Sequence, residues 1–282
     1  MQLRILKNSR MTKTEKIRNS IRAYILGDAL GVPFEFKKEG TFKCSSFSSG
    51  GVHRQIEGTW SDDTSVLLCL IDAFSYPSKR LMDIHKRYEN NLNLWYYKGK
   101  FNAGVELFDI GNQTSESIRM RGCPRTDRMG NGALFYSLPL AIYFLEESPE
   151  VIRERMDLFC GYTHNNIKCF NFASKLCCIF QKLLRDLPLE NVEINDYDNK
   201  GDVINTYNLV IDNYLAQENK STSLFEDLCE VINYGEDTDT NAALFGALMG
   251  MKKKVREEDW NRVRCHELID KYIDIFINSL RL

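Results

Sequence analysis

Residues 235–250 have the sequence GEDTDTNAALFGALMG, in which an acidic, hydroxyl-rich segment runs directly into an apolar one. Carboxylates alternate with hydroxyls at Asp237, Thr238, Asp239 and Thr240. Free backbone N–H groups and the helix dipole stabilise negative charge at a helix N-terminus, so this order predicts an apolar helix that begins at the acidic segment. The first turn of that helix would hold carboxylates close to the interior of the protein.

Residues 61–74 show the same arrangement, with Ser61 as the predicted N-cap and Asp62 and Asp63 in the first turn. A single aspartate at a helix start is commonly no more than a cap. Two such segments that both lead into the interior favour a cation site, because buried carboxylates repel each other and lose hydration unless cations neutralise them. Oxygen ligands suit Mg²⁺ or Mn²⁺ rather than Zn²⁺. The two segments therefore predict a site that holds divalent cations.

Helix-period apolar residues recur along most of the chain, and no strand alternation or fixed-period repeat is evident. A capping box of Thr12 and Glu15 predicts a first helix that ends near Leu30. We predict a compact single-domain all-α bundle over residues 15–282, preceded by an N-terminal tail, 1–14. Further predicted helices follow Ser61 and cover residues 80–97, 131–147, 150–161, 168–184, 203–217, 224–231, the apolar run after Asp239, and 259–280. The segments 37–60 and 186–202 are predicted to be loops.

Composition narrows the class of protein. The 37 basic and 39 acidic residues give a net charge of −2, which does not indicate a nucleic-acid or membrane-surface binder. No apolar run is long enough to span a membrane. Nine scattered cysteines, several within apolar runs, favour a reducing compartment and hence a cytoplasmic protein, and Met11 is a candidate for the true start.

Three other segments carry candidate site residues. Gly130, Asn131 and Gly132 would open a helix whose N–H groups can face an anion such as phosphate. His164 follows a threonine, and Glu35 follows an apolar turn that would raise its pKa or direct it at a metal-bound water. Taken singly, each has an ordinary explanation. The glycines and asparagine at 130–132 suit a turn for conformational reasons, His164 could be an interior histidine, and Glu35 could be a surface glutamate.

Taken together, five segments resemble the ADP-ribosylglycohydrolase family, which includes the dinitrogenase-reductase-activating enzyme and the animal ADP-ribosyl-acceptor hydrolases. The resemblance extends over roughly residues 15–262. The five segments occur in the order of the family: GDALGVPFE at 27–35, GTWSDDT at 58–64, GNGA at 130–133, Thr163-His164, and GEDTDTNAA at 235–243.

The resemblance implies an all-α fold with two divalent cations, normally Mg²⁺ with Mn²⁺ as an alternative, in a cleft that binds ADP-ribose. The implied metal ligands are Ser61, Asp62, Asp63, Asp237, Asp239 and Thr240. The implied catalytic residues are Glu35, Asp62, Asp63 and Asp239. The implied substrate-binding residues are Gly130, Asn131, Gly132 and His164.

The chain also departs from the family pattern. Phe135 and Tyr136 stand where an apolar residue and an arginine are common, Glu236 replaces a frequent glycine, and Asn165 replaces a usual proline. The implied metal ligands are intact. The departures therefore bear on substrate details more than on hydrolysis.

The favoured hypothesis is a metal-dependent hydrolase that cleaves the glycosidic bond between ADP-ribose and an acceptor, and so reverses protein ADP-ribosylation. Its partner would be an ADP-ribosylated protein or a small ADP-ribose conjugate, with no membrane or nucleic-acid partner. One alternative is an inhibitor or immunity protein that binds and blocks an ADP-ribosyltransferase, with the loops 37–58 and 186–202 as contact surfaces. Another is a metal-dependent phosphohydrolase that cleaves the pyrophosphate.

Overall fold

The computed structural model describes residues 11–78, 80–198 and 201–280. Over these ranges the chain is all-α and contains no strand, which confirms the predicted fold class. None of the described helices is both long enough and apolar enough to cross a bilayer. The helices are α1 Lys13–Gly31, α2 Asp62–Phe74, α3 Leu81–Lys98, α4 Asn112–Met120, α5 Ser137–Tyr143, α6 Pro149–Phe159, α7 Ile167–Leu184, α8 Val203–Gln217, α9 Leu224–Ile232, α10 Thr238–Met249, α11 Glu257–Trp260 and α12 His266–Ser279.

Helices α1 and α10 form the central pair of the bundle. Every residue of α10 is buried, and so is every residue of α1 from Ala23 onward. The two helices run antiparallel with their backbones in close approach: a Cβ on Gly27 would lie 2.2 Å from the carbonyl oxygen of Ala242, and one on Gly246 would lie 2.4 Å from that of Ala23. Glycine is therefore required on both sides of this contact.

The antiparallel pairing brings the end of α1 to the start of α10. The hydroxyl of Thr238 donates a hydrogen bond to the carbonyl oxygen of Gly31 over 2.8 Å. A short 3-10 turn, Val32–Phe34, continues from α1 and leads to Glu35. The fold thus places Glu35 beside the acidic first turn of α10.

Asp28 attaches the start of α2 to α1. Its carboxylate is fully buried and accepts hydrogen bonds from the backbone N–H of Ser61 over 2.9 Å, and from the N–H and hydroxyl of Thr64 over 3.1 and 2.5 Å. These bonds satisfy donors at the start of α2 that have no partner within the helix. The second acidic segment is thereby held next to the first.

Three predictions of helices need correction. Helix α4 was not predicted, because its sequence NQTSESIRM is almost entirely polar. The helix predicted at 131–147 is a 3-10 turn, Asn131–Tyr136, followed by α5, which ends at Tyr143. Pro139 has no N–H to donate, so it fits the first turn of a new helix but not the middle of a continuous one.

The helix predicted at 259–280 is two helices, α11 and α12. The intervening backbone binds elsewhere: the N–H of Arg264 donates to the carbonyl oxygen of Gly58 over 2.9 Å, and its own carbonyl accepts from the indole of Trp60 over 3.0 Å. Cys265, just before α12, adopts a left-handed conformation with φ 58°. These contacts interrupt the helix.

The capping box of Thr12 and Glu15 is confirmed by both of its hydrogen bonds, 3.2 and 2.7 Å long. Because α1 begins at Lys13, Lys13 and Thr14 belong to the helix and not to the predicted tail. Residues 1–10 of that tail lie outside the described residues. The loop 37–60 is partly buried, with Cys44 and Phe47 in the core.

Candidate active site

A cavity of about 530 Å³ opens where the end of α1, the starts of α2 and α10, and the 3-10 turn at 131–136 meet. It contains every residue of the predicted site except Ser61. The lining includes Glu35, Asp62, Asp63, Gly130, Asn131, Gly132, His164, Asp237, Asp239 and Thr240. The structure thus brings together side chains that lie more than 200 residues apart in sequence.

Ser61 lies just behind this wall. Its side chain accepts a hydrogen bond from the N–H of Asp63 over 3.3 Å, as an N-cap does, and the residue is 2% exposed. The predicted cap is confirmed. Its role as a metal ligand stays a prediction.

Burial and mutual repulsion dominate the electrostatics of the cavity. Asp62, Asp63 and Asp239 are each at most 8% exposed. Burial, reinforced by the charge of Asp239, raises the pKa of Asp63 well above its usual value. Burial raises the pKa of Asp62 to about 7, and burial with the charges of Asp239 and Asp237 raises that of Glu35 to about 10. Ionised carboxylates are therefore costly here without an added positive charge.

The hydrogen bonds of these carboxylates leave room for a cation. Asp62 Oδ2 accepts the N–H of Gly111 over 3.2 Å, and Asp239 Oδ1 accepts that of Thr240 over 3.0 Å. Asp63 Oδ2 is buried and has no hydrogen-bond partner in the described part of the chain. Within the same ranges, no lysine or arginine forms an ion pair with any of these aspartates. An unpaired oxygen and uncompensated charge fit hard divalent cations.

Carboxylate oxygens from the two ends of the central helix pair meet in this cavity. One oxygen each from Glu35, Asp237 and Asp239 lie within 4.8 Å of one another, a spacing that a single metal ion can bridge. Asp237 is half-buried, so this group remains open to the cavity. The acidic residues at the start of α10 and Glu35 after α1 therefore form one group.

Two residues of the site were missed by sequence reasoning, His53 and Asp109. His53 Nε2 lies 2.5 Å from Glu35 Oε2 and 3.5 Å from Asp109 Oδ1. Burial and the charge of Asp62 raise the pKa of Asp109 to about 10. Both residues lie in irregular segments without a helix-start pattern, so no local signal distinguished them from loop residues.

The turn at 130–132 faces the acidic residues from the opposite wall. Asn131 Nδ2 donates to Asp237 Oδ2 and, over 3.1 Å, to the hydroxyl of Thr206. A Cβ on Gly132 would lie 2.9 Å from the imidazole of His164, so only glycine allows this contact. The turn is 3-10 and not the start of an α-helix.

His164 is an interior residue and also borders the cavity. It is 4% exposed, and its Nδ1 lies 2.8 Å from the hydroxyl of Thr163. Burial lowers its pKa to about 4, so the ring is neutral near pH 7. The imidazole therefore offers the cavity a neutral hydrogen-bonding group.

Comparison with known proteins places this site in a family. Residues 9–196 match the family described as ADP-ribosylglycohydrolase. The protein named ADP-ribosylarginine hydrolase Tri1 of Pseudomonas putida (strain GB-1) is 31% identical over 137 residues, which are 46% of this chain and 36% of that protein. The protein of the same name from Serratia proteamaculans (strain 568) is 30% identical over 137 residues, 46% of this chain and 37% of that protein. The match thus spans little more than a third of these relatives.

Among solved structures, a chain of an "ADP-ribosylglycohydrolase-related protein complex" superposes with a TM-score of 0.73 at 19% identity, over 95% of this chain and 98% of that one. This likeness confirms the type of helical bundle. The family match covers well over half of the chain and includes the segments around Asp62 and His164. The chain belongs to the ADP-ribosylglycohydrolase family.

Proposed function

We propose that this protein hydrolyses the glycosidic bond between the anomeric carbon of ADP-ribose and an arginine guanidinium on a modified protein. The observation that carries this proposal is the group of buried, uncompensated carboxylates in a cavity that also presents the 130–132 turn and His164. Arginine is chosen because the two Tri1 relatives are named ADP-ribosylarginine hydrolases.

Two divalent cations, Mg²⁺ or alternatively Mn²⁺, complete the proposed site. Their ligands would be the oxygen donors Ser61, Asp62, Asp63, Asp237, Asp239 and Thr240. When bound, the cations would supply Lewis-acid stabilisation of charge that develops at the reacting ribose. They would also relieve the repulsion that raises the pKa values of these carboxylates.

Glu35 is the proposed proton-transfer group. Its carboxyl lies beside the proposed metal ligands Asp237 and Asp239, and His53 Nε2 contacts its Oε2. Glycosidic cleavage passes through an oxocarbenium-like transition state, in which a positioned carboxyl can donate to the leaving group or accept from water. The glycine turn and His164 would bind the ribose and phosphates.

The test is a release assay with purified protein across ADP-ribosylated arginine, serine and nucleic-acid substrates, with product identification. We expect free ADP-ribose from the arginine substrate in Mg²⁺, and none after chelation or in Asp239→Asn. AMP as the product would instead establish a phosphohydrolase. Full blocking of a transferase by Asp239→Asn, with no release by the wild type, would establish an inhibitor.

We propose a reducing, cytoplasmic location as well. All nine cysteines are free, and most are buried within the bundle. Such thiols are typical of proteins that are not exposed to an oxidising compartment.

A further inference from the structure

Three hydroxyls form a continuous hydrogen-bonded array behind the cavity wall. The hydroxyl of Tyr88 lies 2.6 Å from that of Tyr136, and Tyr136 lies 2.5 Å from Thr163 Oγ1. The third link runs from Thr163 Oγ1 to Nδ1 of His164 over 2.8 Å. None of the four residues is more than 4% exposed. We call Tyr88, Tyr136 and Thr163 the hydroxyl array.

The hydroxyl array is connected to the cavity through His164, since none of its three members lines the cavity. His164 borders the cavity, and its Nε2 lies against the glycine turn, 3.0 Å from the position of a Cβ on Gly132. Among residues 11–78, 80–198 and 201–280, Nε2 has no hydrogen-bond partner. Nε2 is therefore the ring atom that a bound ligand can contact.

The number of hydrogens available determines which group donates in each hydrogen bond of the array. Three links join four groups, and the three hydroxyls supply three hydrogens. If Tyr88 donates to Tyr136, Tyr136 to Thr163, and Thr163 to Nδ1, every link is filled and no hydrogen is left over. A proton on Nδ1 would be a fourth hydrogen for three links, which would leave one buried O–H without an acceptor.

We propose that the hydroxyl array fixes His164 as its Nε2–H tautomer, so that a neutral N–H donor faces an oxygen of the diphosphate or ribose of the bound substrate. Tyr88, Tyr136 and Thr163 are then positioning residues that act through His164. Because the ring is neutral, the tautomer alone decides whether Nε2 donates or accepts. This inference rests on the proposed function for its ligand, but the tautomer itself belongs to the free protein.

The tautomer is read directly by long-range ¹H–¹⁵N NMR of the free protein with ¹⁵N-labelled histidine. The chain has four histidines, and single His→Gln variants assign their signals. We expect an unprotonated Nδ1 and a protonated Nε2 for His164. A protonated Nδ1 in the wild type would overturn the proposal.

Variants of Thr163 test whether the hydroxyl array is the cause of the single tautomer of His164. Thr163→Val removes the link to Nδ1 at nearly constant volume, and we expect both tautomers to be populated. Thr163→Ser keeps a hydroxyl and should restore the single tautomer, and Tyr136→Phe should shift the ratio less than Thr163→Val does. Tyr162→Phe is the matched control, because Tyr162 is a buried neighbour whose hydroxyl has no hydrogen bond within the described ranges. A wild-type tautomer ratio in Thr163→Val would contradict the proposal.

Binding of ADP-ribose, measured by calorimetry in Mg²⁺, tests the role of the donor. Because only the Nε2–H fraction of Thr163→Val can donate, its Kd should rise by the reciprocal of the Nε2–H fraction that NMR measures, which is about 5-fold for a fraction of about one fifth. Thr163→Ser and Tyr162→Phe should stay within about twofold of the wild type. Unchanged affinity in Thr163→Val would overturn the ligand contact. Failure to hydrolyse ADP-ribosylated arginine would refute the proposed function and leave the tautomer result standing.

Discussion

Asp63 and Asp227 are both buried aspartates, but their surroundings differ. Asp227 accepts from the ammonium of Lys253 over 2.5 Å and also from the hydroxyl of Thr222. Asp63 has no cationic partner in the described part of the chain, and its Oδ2 is unpaired. Removing the carboxylate of Asp227 would leave the ammonium of Lys253 without its partner, whereas a buried carboxylate that has no cationic partner is destabilising until a cation binds.

Asp63→Asn should therefore raise the free energy of unfolding of the metal-free protein near pH 7, by on the order of 1 kcal/mol, because on folding the carboxylate must either be buried as a charge or take up a proton, and the amide does neither. The same change should reduce or abolish stabilisation by Mg²⁺, which for the wild type is about 2.7 kcal/mol at one hundred times Kd. Denaturant unfolding in EDTA and in Mg²⁺ measures both effects. Asp227→Asn is the control: it should lose about 2 kcal/mol in either buffer and keep the full Mg²⁺ effect.

Glu35→Gln should lower kcat for release of ADP-ribose by about 10²- to 10⁴-fold, because the amide cannot transfer a proton. Binding of ADP-ribose should change little, since the shape of the side chain is kept. Steady-state kinetics and calorimetry separate the two quantities. Glu39→Gln, on the exposed part of the same loop, should leave kcat unchanged. Equal kcat in Glu35→Gln and wild type would remove Glu35 from the mechanism.

At the scale of elements, the site depends on how α1 holds the starts of α2 and α10. Asp28 fixes α2 through its three accepted hydrogen bonds, and the glycines at the contact between α1 and α10 fix α10. Neither Asp28 nor these glycines line the cavity. Changes in these residues should thus act on stability first and on the site as a consequence.

Gly246→Ala tests the central helix pair. Alanine normally stabilises a helix relative to glycine by about 1 kcal/mol, so an exposed site would gain from this change. Here the new Cβ would lie 2.4 Å from the backbone oxygen of Ala23, and we expect a net loss of about 2 kcal/mol or more. Gly161→Ala, whose Cβ would make an ordinary 3.4 Å contact with Phe170, should be close to neutral. Chemical denaturation compares the two variants.

Asp28→Asn makes the same chemical change as Asp63→Asn, but the expected sign is opposite. The amide nitrogen would face a donor at the start of α2, where the wild type has an acceptor. We expect a loss of about 2–3 kcal/mol in the free energy of unfolding, measured in EDTA. An increase in stability would show that the carboxylate of Asp28 does not hold α2.

At the scale of the whole molecule, local patterns predicted the elements whose signal is local. Periodic apolar faces placed α1, α3 and α6 to α9 within a few residues, and the two acidic helix starts indicated the cavity. Helix α4 was missed because a polar sequence carries no apolar period, and the predicted last helix is interrupted because its backbone binds Gly58 and Trp60. A short window of sequence shows neither that this polar segment is helical nor that the last helix is interrupted by distant contacts.

The residues of the site that were not predicted from sequence were missed for the same physical reason. His53 and Asp109 lie in irregular segments, and Asp28, which holds α2 but does not line the cavity, lies in the last turn of α1. Each acquires its role only from a residue distant in sequence, such as Thr64 for Asp28 and Glu35 for His53. Tertiary contacts of this kind leave no periodic or capping signal.

Calorimetric titration of Mg²⁺ into the EDTA-treated, dialysed protein tests the central claim most directly, since the claim is that the carboxylates of α2 and α10 hold divalent cations. We predict saturable binding of two ions in the wild type, lost or reduced in Asp63→Asn and Asp239→Asn and retained in Asp227→Asn. No saturable binding in the wild type, or an unchanged isotherm in both site variants, would contradict the account.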